Sequence, residues 1–503
     1  MVRTVFERSS GVFCHPTMLP GPHGIGSFGE PTRGFLDRLA DADQSYWQIC
    51  PLGPTAAIHG NSPYQSSSTF AIEPLLIDLE DLVSRDLLSE PATEPDPVYD
   101  ADLSAETVHY EAVREFKTHR FRQAFDRFED GDFDALEQAF SAFRRRAHWL
   151  EDYTLFRALS DVYDDRSWLE WPEPIRLREP SALERWREDL ARERRYCAFL
   201  QFLAYEQWMD VREYAADRGI EILGDMPIYV ALDSADVWAN PACFELGDDG
   251  RPEQVAGVPP GPGDDGQKWG NPLYDWSHLE STGFDWWVDR VSWLTELVDV
   301  VRLDHFRAFE SHWSIPVEKP AHEGEWRPTP GSALFDTIRE AVGRVPFVAE
   351  DLGFVTDEVQ ALRRSIDAPG MKVLQYADWC VDGHLYQPHT FERDTVAYPS
   401  THDTNTVRGW YDGLGADQRD CLHYYLGTDG SAIHWDLLEA AWESDSVLAI
   451  VPIQDLYGLG SEARFNTPGT AEGNWTWRCS SEQFEAFPTD RLRELTARTG
   501  RDR

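Results

Sequence analysis

The feature of this sequence that most restricts its fold is a repeated unit, in which a helix precedes a short apolar strand that ends on an acidic residue. In the first copy, apolar residues at helical spacing fill 197–216, Gly219 ends the helix, and the strand "IEILGD" closes on Asp225. Two further copies end on Asp304 and Glu350. Helices that alternate with buried strands predict a parallel sheet, and acids at successive strand ends predict a closed barrel with its functional groups on one face.

Three further apolar runs have the length and composition of the strand in this unit. They are "DTVAYPSTHD", which closes on Asp403, "VLAIVPIQDL", which passes through Asp455, and "SYWQICPLGP", which we take as the first strand. Segments 239–276 and 316–331 are rich in proline and glycine, and loops of that length commonly cover a functional site. The sequence therefore predicts an α/β fold, a (β/α)8 TIM barrel with long loops over its C-terminal face.

Residues 94–195 differ in character from the rest of the chain. They contain helical patterns rich in Arg, Glu and Phe, and no run that resembles a buried strand. We interpret this segment as a helical insertion subdomain, so that residues 1–93 and 196–503 form the barrel. Its phenylalanines recur near helical spacing, which favours core packing over a ligand platform. They are Phe116, Phe121, Phe125 and Phe128.

The chain is strongly acidic. It carries 89 acidic and 46 basic residues, a formal net charge of −43, and only four of the basic residues are lysines. Such a charge repels nucleic acid phosphates and anionic lipid surfaces, so we expect neither as a partner. A carboxylate-rich, lysine-poor surface is typical of proteins from salt-accumulating halophiles, in which a Debye length of about 3 Å or less screens the self-repulsion. We therefore attribute the charge to habitat rather than to substrate.

Cellular location and cysteine usage also restrict the function. No stretch approaches the roughly 18–20 consecutive apolar residues that a membrane span requires, and the N-terminal sequence lacks an apolar signal core, so we expect a cytoplasmic protein.

The seven cysteines are scattered and never form a C-x-x-C pair, which predicts free thiols rather than a disulfide framework or a zinc site. No ligand cluster for a metal or a cofactor is evident.

The strand-end acids suggest a chemistry. On one face of a barrel, Asp304, Glu350 and Asp403 would lie within reach of one another, which is costly unless the site uses their charges. Retaining glycoside chemistry needs two carboxyl groups, one that attacks the anomeric carbon and one of raised pKa that protonates the leaving oxygen. Arg302 lies two residues before Asp304, hence on the same strand face, and would keep Asp304 ionised. A purely structural ion pair between Arg302 and Asp304 is the alternative.

Nine segments of the chain carry a family resemblance. "GDMPIYV", "VRLDHFRAFE", "VAEDLG" and "YPSTHDTNT" resemble the four strand-end regions of the alpha-amylase clan. "WQICPLGP", "NSPYQSSS", "QKWGNPLYDW", "PGMKVLQYA" and "ARFNTPG" resemble segments particular to amylomaltases. Over nearly its whole length, the chain thus resembles the amylomaltase-type 4-alpha-glucanotransferases, also called disproportionating enzymes. The resemblance implies alpha-1,4-glucans and maltooligosaccharides as substrates, and no cofactor.

The resemblance also implies a role for each matching residue. Asp304 matches the nucleophile, Glu350 the general acid/base, and Asp403 the third acid, which grips hydroxyls of the distorted sugar. The other matches bind or support the sugar: Arg302 and His402 in that same subsite, Tyr64 stacked on the donor glucose, Trp269 as an acceptor platform, Asp225 as a support, and Asn466 in a matching segment.

The chain departs from the family pattern at two places. Relatives commonly read G-P-T-G-Y-G-D before S-P-Y-Q, whereas this chain has "GPTAAIHGNSPYQ" and lacks an aromatic that in relatives belongs to a glucan site away from catalysis. After "GVPP", relatives commonly have D-Y-F and this chain has "GPGDD", so the aromatic tip of the lid is missing. These changes leave the chemistry untouched, and they leave acceptor handling and preferred glucan length open.

Three functions are compatible with these observations. The chain can be a glucanotransferase, a hydrolase that lets water intercept the same intermediate, or a maltodextrin-binding scaffold without activity. The strand-end residues do not separate the first two, because both use the same pair of carboxyl groups. The intact trio of acids argues against the scaffold. The oligomeric state is not determined by the sequence.

Overall fold

The computed structural model describes residues 6–94, 103, 106–261, 265–470 and 472–502. The strands are β1 Ser9–Phe13, β2 Tyr46–Gln48, β3 Glu221–Pro227, β4 Gln254–Val258, β5 Gln267–Pro272, β6 Val300–Asp304, β7 Ser311–Pro316, β8 Glu325–Pro328, β9 Phe347–Ala349, β10 Gly370–Val373, β11 Thr395–Tyr398 and β12 Leu448–Pro452. The α-helices are α1 Glu30–Asp41, α2 Leu79–Ser84, α3 Tyr110–Asp130, α4 Asp134–Arg146, α5 Leu150–Val162, α6 Glu173–Arg176, α7 Pro180–Asp189, α8 Ala191–Ala216, α9 Ala235–Ala239, α10 Trp276–Ser281, α11 Asp285–Leu297, α12 Gly331–Ala341, α13 Asp357–Ser365, α14 Val407–Gly413, α15 Ala416–Leu426, α16 Ile433–Glu443, α17 Ile453–Leu456, α18 Ser481–Glu485 and α19 Thr489–Arg498. The 3₁₀ helices are Pro16–Met18, Ala57–His59, Pro74–Leu76, Glu90–Ala92, Trp168–Glu170, Pro241–Cys243, Phe306–Phe309, Ala321–Glu323, Leu374–Tyr376, Pro388–Thr390 and Ser461–Ala463.

Eight strands form a closed parallel barrel in the order β1, β12, β11, β10, β9, β6, β3 and β2, with β2 returning to β1. The predicted (β/α)8 barrel is therefore confirmed. Helix α8 ends at Ala216, as its pattern predicts, and Gly219 follows at a φ of 69° before the chain enters β3. Every residue of β1, β11 and β12 is buried, because barrel strands are covered by side chains on the inside and helices on the outside.

The first barrel strand is β1, so the assignment of "SYWQICPLGP" as the first strand was wrong; that run supplies β2. The sequence of β1 is SSGVF, and its two serines and its glycine weaken the apolar signal. The glycine is required by packing, because a Cβ atom at Gly11 would lie 2.3 Å from the carbonyl oxygen of Tyr46 in β2. Strand β10, only four residues long, was also missed.

A second sheet lies largely in the segments that were expected to be loops, since β4, β5 and β8 fall within 239–276 and 316–331 and β7 ends where the second of these segments begins. It is antiparallel, with the strand order β5, β4, β7 and β8. Val255 in β4 lies opposite Ile315 in β7, so the pairing joins parts of the chain that are distant in sequence and leaves no local pattern. Trp269 in β5 contacts His305, which follows β6, and this places the sheet beside the C-terminal end of the barrel. Residues 262–263, where the lid tip was predicted to lack an aromatic, lie outside the described residues.

Helices α3 to α7 and the start of α8 fall within 94–195, and α8 runs continuously across the predicted boundary at 195/196. The four phenylalanines of α3 are all buried, which confirms their role in packing; Phe128 stacks on Phe199 of α8 with ring centroids 4.7 Å apart. The assignment of this segment as a separate subdomain stays a prediction. In the part of the chain that the structure describes, no helix has both the length and the apolar character needed to span a membrane.

The cysteine prediction needs a correction. Cys380, in the loop between β10 and β11, forms a disulfide with Cys421 in α15. The other five cysteines are free, as predicted. The pair was missed because the two cysteines are 41 residues apart in sequence and are brought together by packing. The side chain of Gln418 helps to hold this loop against α15, since it accepts from the backbone N–H of Trp379 and donates to Asp378.

Candidate active site

Four acidic residues meet at the C-terminal end of the barrel. Asp225 lies near the end of β3, Asp304 is the last residue of β6, and Glu350 directly follows β9. Asp403 lies farther from its strand than predicted, in the loop that joins β11 to α14. The carboxyl ends of parallel barrel strands share one face, so these four side chains converge on one site.

Arg302 joins two of these acids. Its Nη1 atom donates to Asp225 Oδ2 at 2.6 Å and to Asp304 Oδ1 at 2.9 Å. The contact with Asp225 follows from the strand register, which places the two residues side by side on β3 and β6. Burial alone would lower the pKa of Arg302, but the two carboxylates raise it well above its usual value. The guanidinium therefore stays charged and fixes the Asp304 side chain by an ion pair, while that side chain remains 26% exposed toward the site.

A chain of hydrogen bonds continues from Asp225 to the other side of the barrel. The Tyr64 hydroxyl donates to Asp225 Oδ2 at 2.8 Å and lies 2.8 Å from His402 Nε2. The rings of Tyr64 and His402 are stacked, with centroids 5.5 Å apart. His402 Nε2 also lies 3.1 Å from Asp403 Oδ2. Because Tyr64 uses its proton toward Asp225, its oxygen is left to accept from the imidazole, which assigns the proton of His402 to Nε2.

Asp403 is held as a carboxylate by its neighbours. Burial favours its neutral form, but the electrostatic interaction and hydrogen bond with His402 and the hydrogen bond from Asn466 place the pKa of Asp403 well below its usual value. Asn466 Nδ2 donates to Asp403 Oδ1 at 2.6 Å. A fixed carboxylate with two oriented oxygens is suited to accept hydrogen bonds from the hydroxyls of a sugar.

Glu350 lies in a different environment. Burial, reinforced by the charge of Asp304, raises the pKa of Glu350 to about 8. Its oxygens accept from the backbone N–H groups of His305, at 2.8 Å, and Leu352, at 3.0 Å, which fixes the carboxyl group in place. The site therefore contains one carboxyl group paired with a guanidinium and another that retains its proton at neutral pH. Such a difference is how enzymes assign acid and nucleophile roles to two carboxyl groups.

His305 takes the left-handed backbone conformation, with a φ of 50°. This conformation is uncommon for a residue other than glycine. It turns the backbone N–H of His305 toward Glu350, so the residue that directly follows Asp304 also contacts Glu350. The imidazole meets the ring of Trp269 edge to face, with centroids 4.9 Å apart, and burial lowers the pKa of His305 to about 4. His305 thus links the two carboxyl groups to the aromatic ring supplied by β5.

A family model described as 4-alpha-glucanotransferase matches residues 14–483. The chain belongs to this family. The 4-alpha-glucanotransferase of Synechocystis is 43% identical over 502 residues, which cover 98% of each chain. That of Thermus thermophilus is 42% identical over 505 residues, covering 98% of this chain and 99% of the other. The activity of the chain is accordingly that of a 4-alpha-glucanotransferase.

Solved structures agree with the family assignment. The amylomaltase from Streptococcus agalactiae, in complex with acarbose, matches with a TM-score of 0.93 and 34% identity, over 99% of this chain and 100% of that chain. The amylomaltase from Corynebacterium glutamicum shares the fold, with a TM-score of 0.79 at 19% identity, over 98% and 75% of the two chains.

The glucanotransferase brings the sequence-predicted residues together. One hydrogen-bonded network contains seven of them: Tyr64, Asp225, Arg302, Asp304, His402, Asp403 and Asn466. Glu350 joins the network through the backbone of His305, and Trp269 packs on the His305 ring. In the described part of the chain, no cluster of three or more His, Cys, Asp or Glu side chains is arranged to hold a metal ion.

Two residues of the site were missed by the sequence analysis. Tyr376 lies just beyond β10, and the residue as a whole is 46% exposed. Partial burial of the side chain, together with the charges of Asp403 and Glu350, raises the pKa of Tyr376 to about 12. Arg464 donates from Nη2 to the backbone oxygen of Asp403 at 2.8 Å. The signal for Tyr376 was an aromatic at the end of "PGMKVLQYA", a segment too short to be recognised as a barrel strand. Arg464 lies in "ARFNTPG", where only Asn466 was selected.

Proposed function

We propose that this glucanotransferase moves alpha-1,4-glucan segments between maltodextrins, or to glucose, through a covalent intermediate on Asp304. The observation that carries the proposal is the contrast between two carboxyl groups at the same barrel end. Asp304 is paired with Arg302 at 2.9 Å, whereas Glu350 has a pKa of about 8. A carboxylate nucleophile beside a protonated general acid is the arrangement that a retaining enzyme requires.

In the first half-reaction, an Asp304 oxygen attacks the anomeric carbon of the donor. The bond from that carbon to the glycosidic oxygen breaks as Glu350 gives its proton to this oxygen, and the reducing-end fragment leaves with a free 4-hydroxyl. The donor glycosyl group is now an ester of Asp304. Glu350 has become a carboxylate and can act as the base of the second step.

In the second half-reaction, the 4-hydroxyl of an acceptor glucan or of glucose occupies the place of the departed fragment. Glu350 removes its proton while its oxygen attacks the anomeric carbon, and the ester bond to Asp304 breaks. An alpha-1,4 bond is re-formed, Asp304 is again a carboxylate, and Glu350 is again protonated. The number of glycosidic bonds does not change over the cycle.

The surrounding network would bind the donor sugar. In this proposal the Tyr64 ring stacks on the apolar face of a glucose ring, and His402 and Asp403 bind its hydroxyl edge. Asn466 fixes Oδ1 of Asp403 at 2.6 Å and His402 lies 3.1 Å from Oδ2, and each oxygen has a second lone pair that can accept from the substrate. Trp269, beside His305, is assigned to the acceptor side. Asp225 supports the site through Arg302 and Tyr64.

Incubation of the protein with maltotriose tests this proposal directly. A series of longer glucans together with glucose is the expected result, with reducing ends nearly constant. Reducing ends that rise without longer products would show that water, not a glucan, accepts the glycosyl group. An unchanged substrate would refute turnover altogether. The Asp304→Asn variant is the matched control, because an amide cannot form the glycosyl ester.

A further inference from the structure

Asp455 is a buried acid that the proposed mechanism does not use. It follows β12 in the short helix α17 and is 2% exposed. Its Oδ2 atom accepts a hydrogen bond from the hydroxyl of Ser400, and its Oδ1 atom accepts one from the backbone N–H of Val407 at 2.7 Å. The two donors are seven positions apart in sequence, and the chain between them carries His402 and Asp403.

The geometry points to Asp455 as a positioning residue for Asp403. We propose that its carboxyl group binds both ends of the segment 400–407, and so fixes the loop that presents His402 and Asp403 to the sugar. The middle of this loop is held separately, since Asn466 and Arg464 contact Asp403. With both the ends and the middle bound, the loop keeps one conformation although most of it is neither helix nor strand.

The neutral form of the carboxyl group suffices for this role. Burial raises the pKa of Asp455 to about 7, so at neutral pH a large fraction carries a proton. An asparagine has the same shape and is always neutral. Its oxygen can accept from Val407, and its amide group can donate to the Ser400 oxygen. Asp455→Asn should therefore preserve both contacts, whereas Asp455→Ala removes them.

The chain offers a closely matched control in Asp78. This acid is also buried, it accepts from the Ser27 hydroxyl at 2.8 Å, and it accepts from the backbone N–H of Asp81 in the first turn of α2 at 3.1 Å. The donor set is the same as that of Asp455, but the helix it caps carries none of the residues assigned to the site. Asp78→Ala should lower stability without changing turnover per folded molecule.

Steady-state kinetics on maltotriose test the inference, which rests on the proposed function for the role of Asp403. Asp403 would bind the sugar more tightly in its distorted, transition-state shape than in its ground-state shape. Misplacing Asp403 should therefore slow the chemical step more than it weakens substrate binding, so Asp455→Ala should lower kcat about tenfold or more and change KM by less than about twofold. Asp455→Asn should stay within about threefold of the wild-type kcat. Ser400→Ala, which removes one of the two contacts, should give an intermediate loss and serves if Asp455→Ala does not fold.

Hydrogen exchange gives a readout that does not depend on activity. Exchange at the Val407 amide and over 401–406 should speed up in Asp455→Ala and Ser400→Ala, and stay at the wild-type rate in Asp78→Ala. A wild-type protein that fails to elongate maltotriose would refute the proposed function, while the exchange data would still decide whether Asp455 fixes the loop. An unchanged kcat or unchanged exchange in Asp455→Ala would overturn the inference. So would a loss of kcat in Asp78→Ala as large as that in Asp455→Ala, or an Asp455→Asn variant as impaired as Asp455→Ala.

Discussion

Replacing Glu350 with glutamine should reduce the loss of stability that the protein undergoes between pH 5 and pH 9. The pKa of Glu350 is raised from 4.5 to about 8. Below pH 4.5 the carboxyl group is protonated in both the folded and the unfolded chain. Between 4.5 and 8 the unfolded chain releases this proton and the folded chain keeps it, so stability falls as pH rises through that interval. Glutamine does not titrate, so the variant lacks this contribution.

The size of the effect follows from the same pKa difference. At about 1.4 kcal/mol per pKa unit, the upper bound is about 5 kcal/mol, and relaxation and water entry around the charged group reduce it to about 2–4 kcal/mol. Glutamine also places an amide N–H group against the N–H of His305 or Leu352, which costs about 1–3 kcal/mol at every pH. The informative quantity is therefore the change with pH, not the stability at one pH.

Thermal unfolding followed by circular dichroism at pH 5, 7 and 9 measures this change. For 503 residues the unfolding entropy is about 1 kcal/mol/K, so the Tm of the wild type should fall about 2–4 °C further than that of Glu350→Gln. Asp420→Asn, at an exposed position, is the control and should follow the wild type. Parallel curves for wild type and Glu350→Gln would refute a raised pKa at Glu350, and with it the assignment of Glu350 as the general acid.

Three further predictions concern the nucleophile, the acceptor side and the surface charge. Asp304→Asn should lower turnover of maltotriose about a thousandfold or more with its circular dichroism spectrum unchanged, and product series like those of the wild type would exclude it as the nucleophile. Trp269→Ala should lower the ratio of transfer to hydrolysis severalfold, because an acceptor that binds poorly lets water reach the ester; an unchanged ratio would place the acceptor site elsewhere. With a net charge of −43, the protein should lose ellipticity when salt is diluted from molar concentration to about 0.1 M, where the Debye length is about 10 Å, and equal ellipticity at both salt concentrations would contradict the halophilic interpretation.

The barrel and the acids were predictable because they leave local signals. Helical spacing before an apolar run identified β3, β6 and β9, and acidic residues next to those runs identified Asp225, Asp304 and Glu350. The short strands were harder. β1 contains two serines and a glycine, which the close approach of Tyr46 in β2 requires, so its apolar pattern is weak. β10 has only four residues, too few for a recognisable pattern.

The contacts that depend on folding left no such signal. The bond between Cys380 and Cys421 and the pairing of β4 with β7 both join segments that are distant in sequence. Asp455 could be recognised as a strand-end acid, but nothing in the sequence indicates that its carboxyl group reaches both Ser400 and Val407. Roles that depend on which atoms meet, rather than on spacing along one element, require the structure.

The continuous hydrogen-bond chain across the barrel has a consequence for directed evolution of this enzyme. Each member supplies the proton or the lone pair that the next one needs; in order they are Asp304, Arg302, Asp225, Tyr64, His402 and Asp403. A substitution at one member leaves its neighbour unsatisfied, so effects within the chain should be strongly non-additive in double-mutant cycles. Trp269 and Tyr376 flank the chain without belonging to it. Libraries that vary these two aromatics should therefore retain far more active clones than libraries of equal size that vary the six hydrogen-bonded residues.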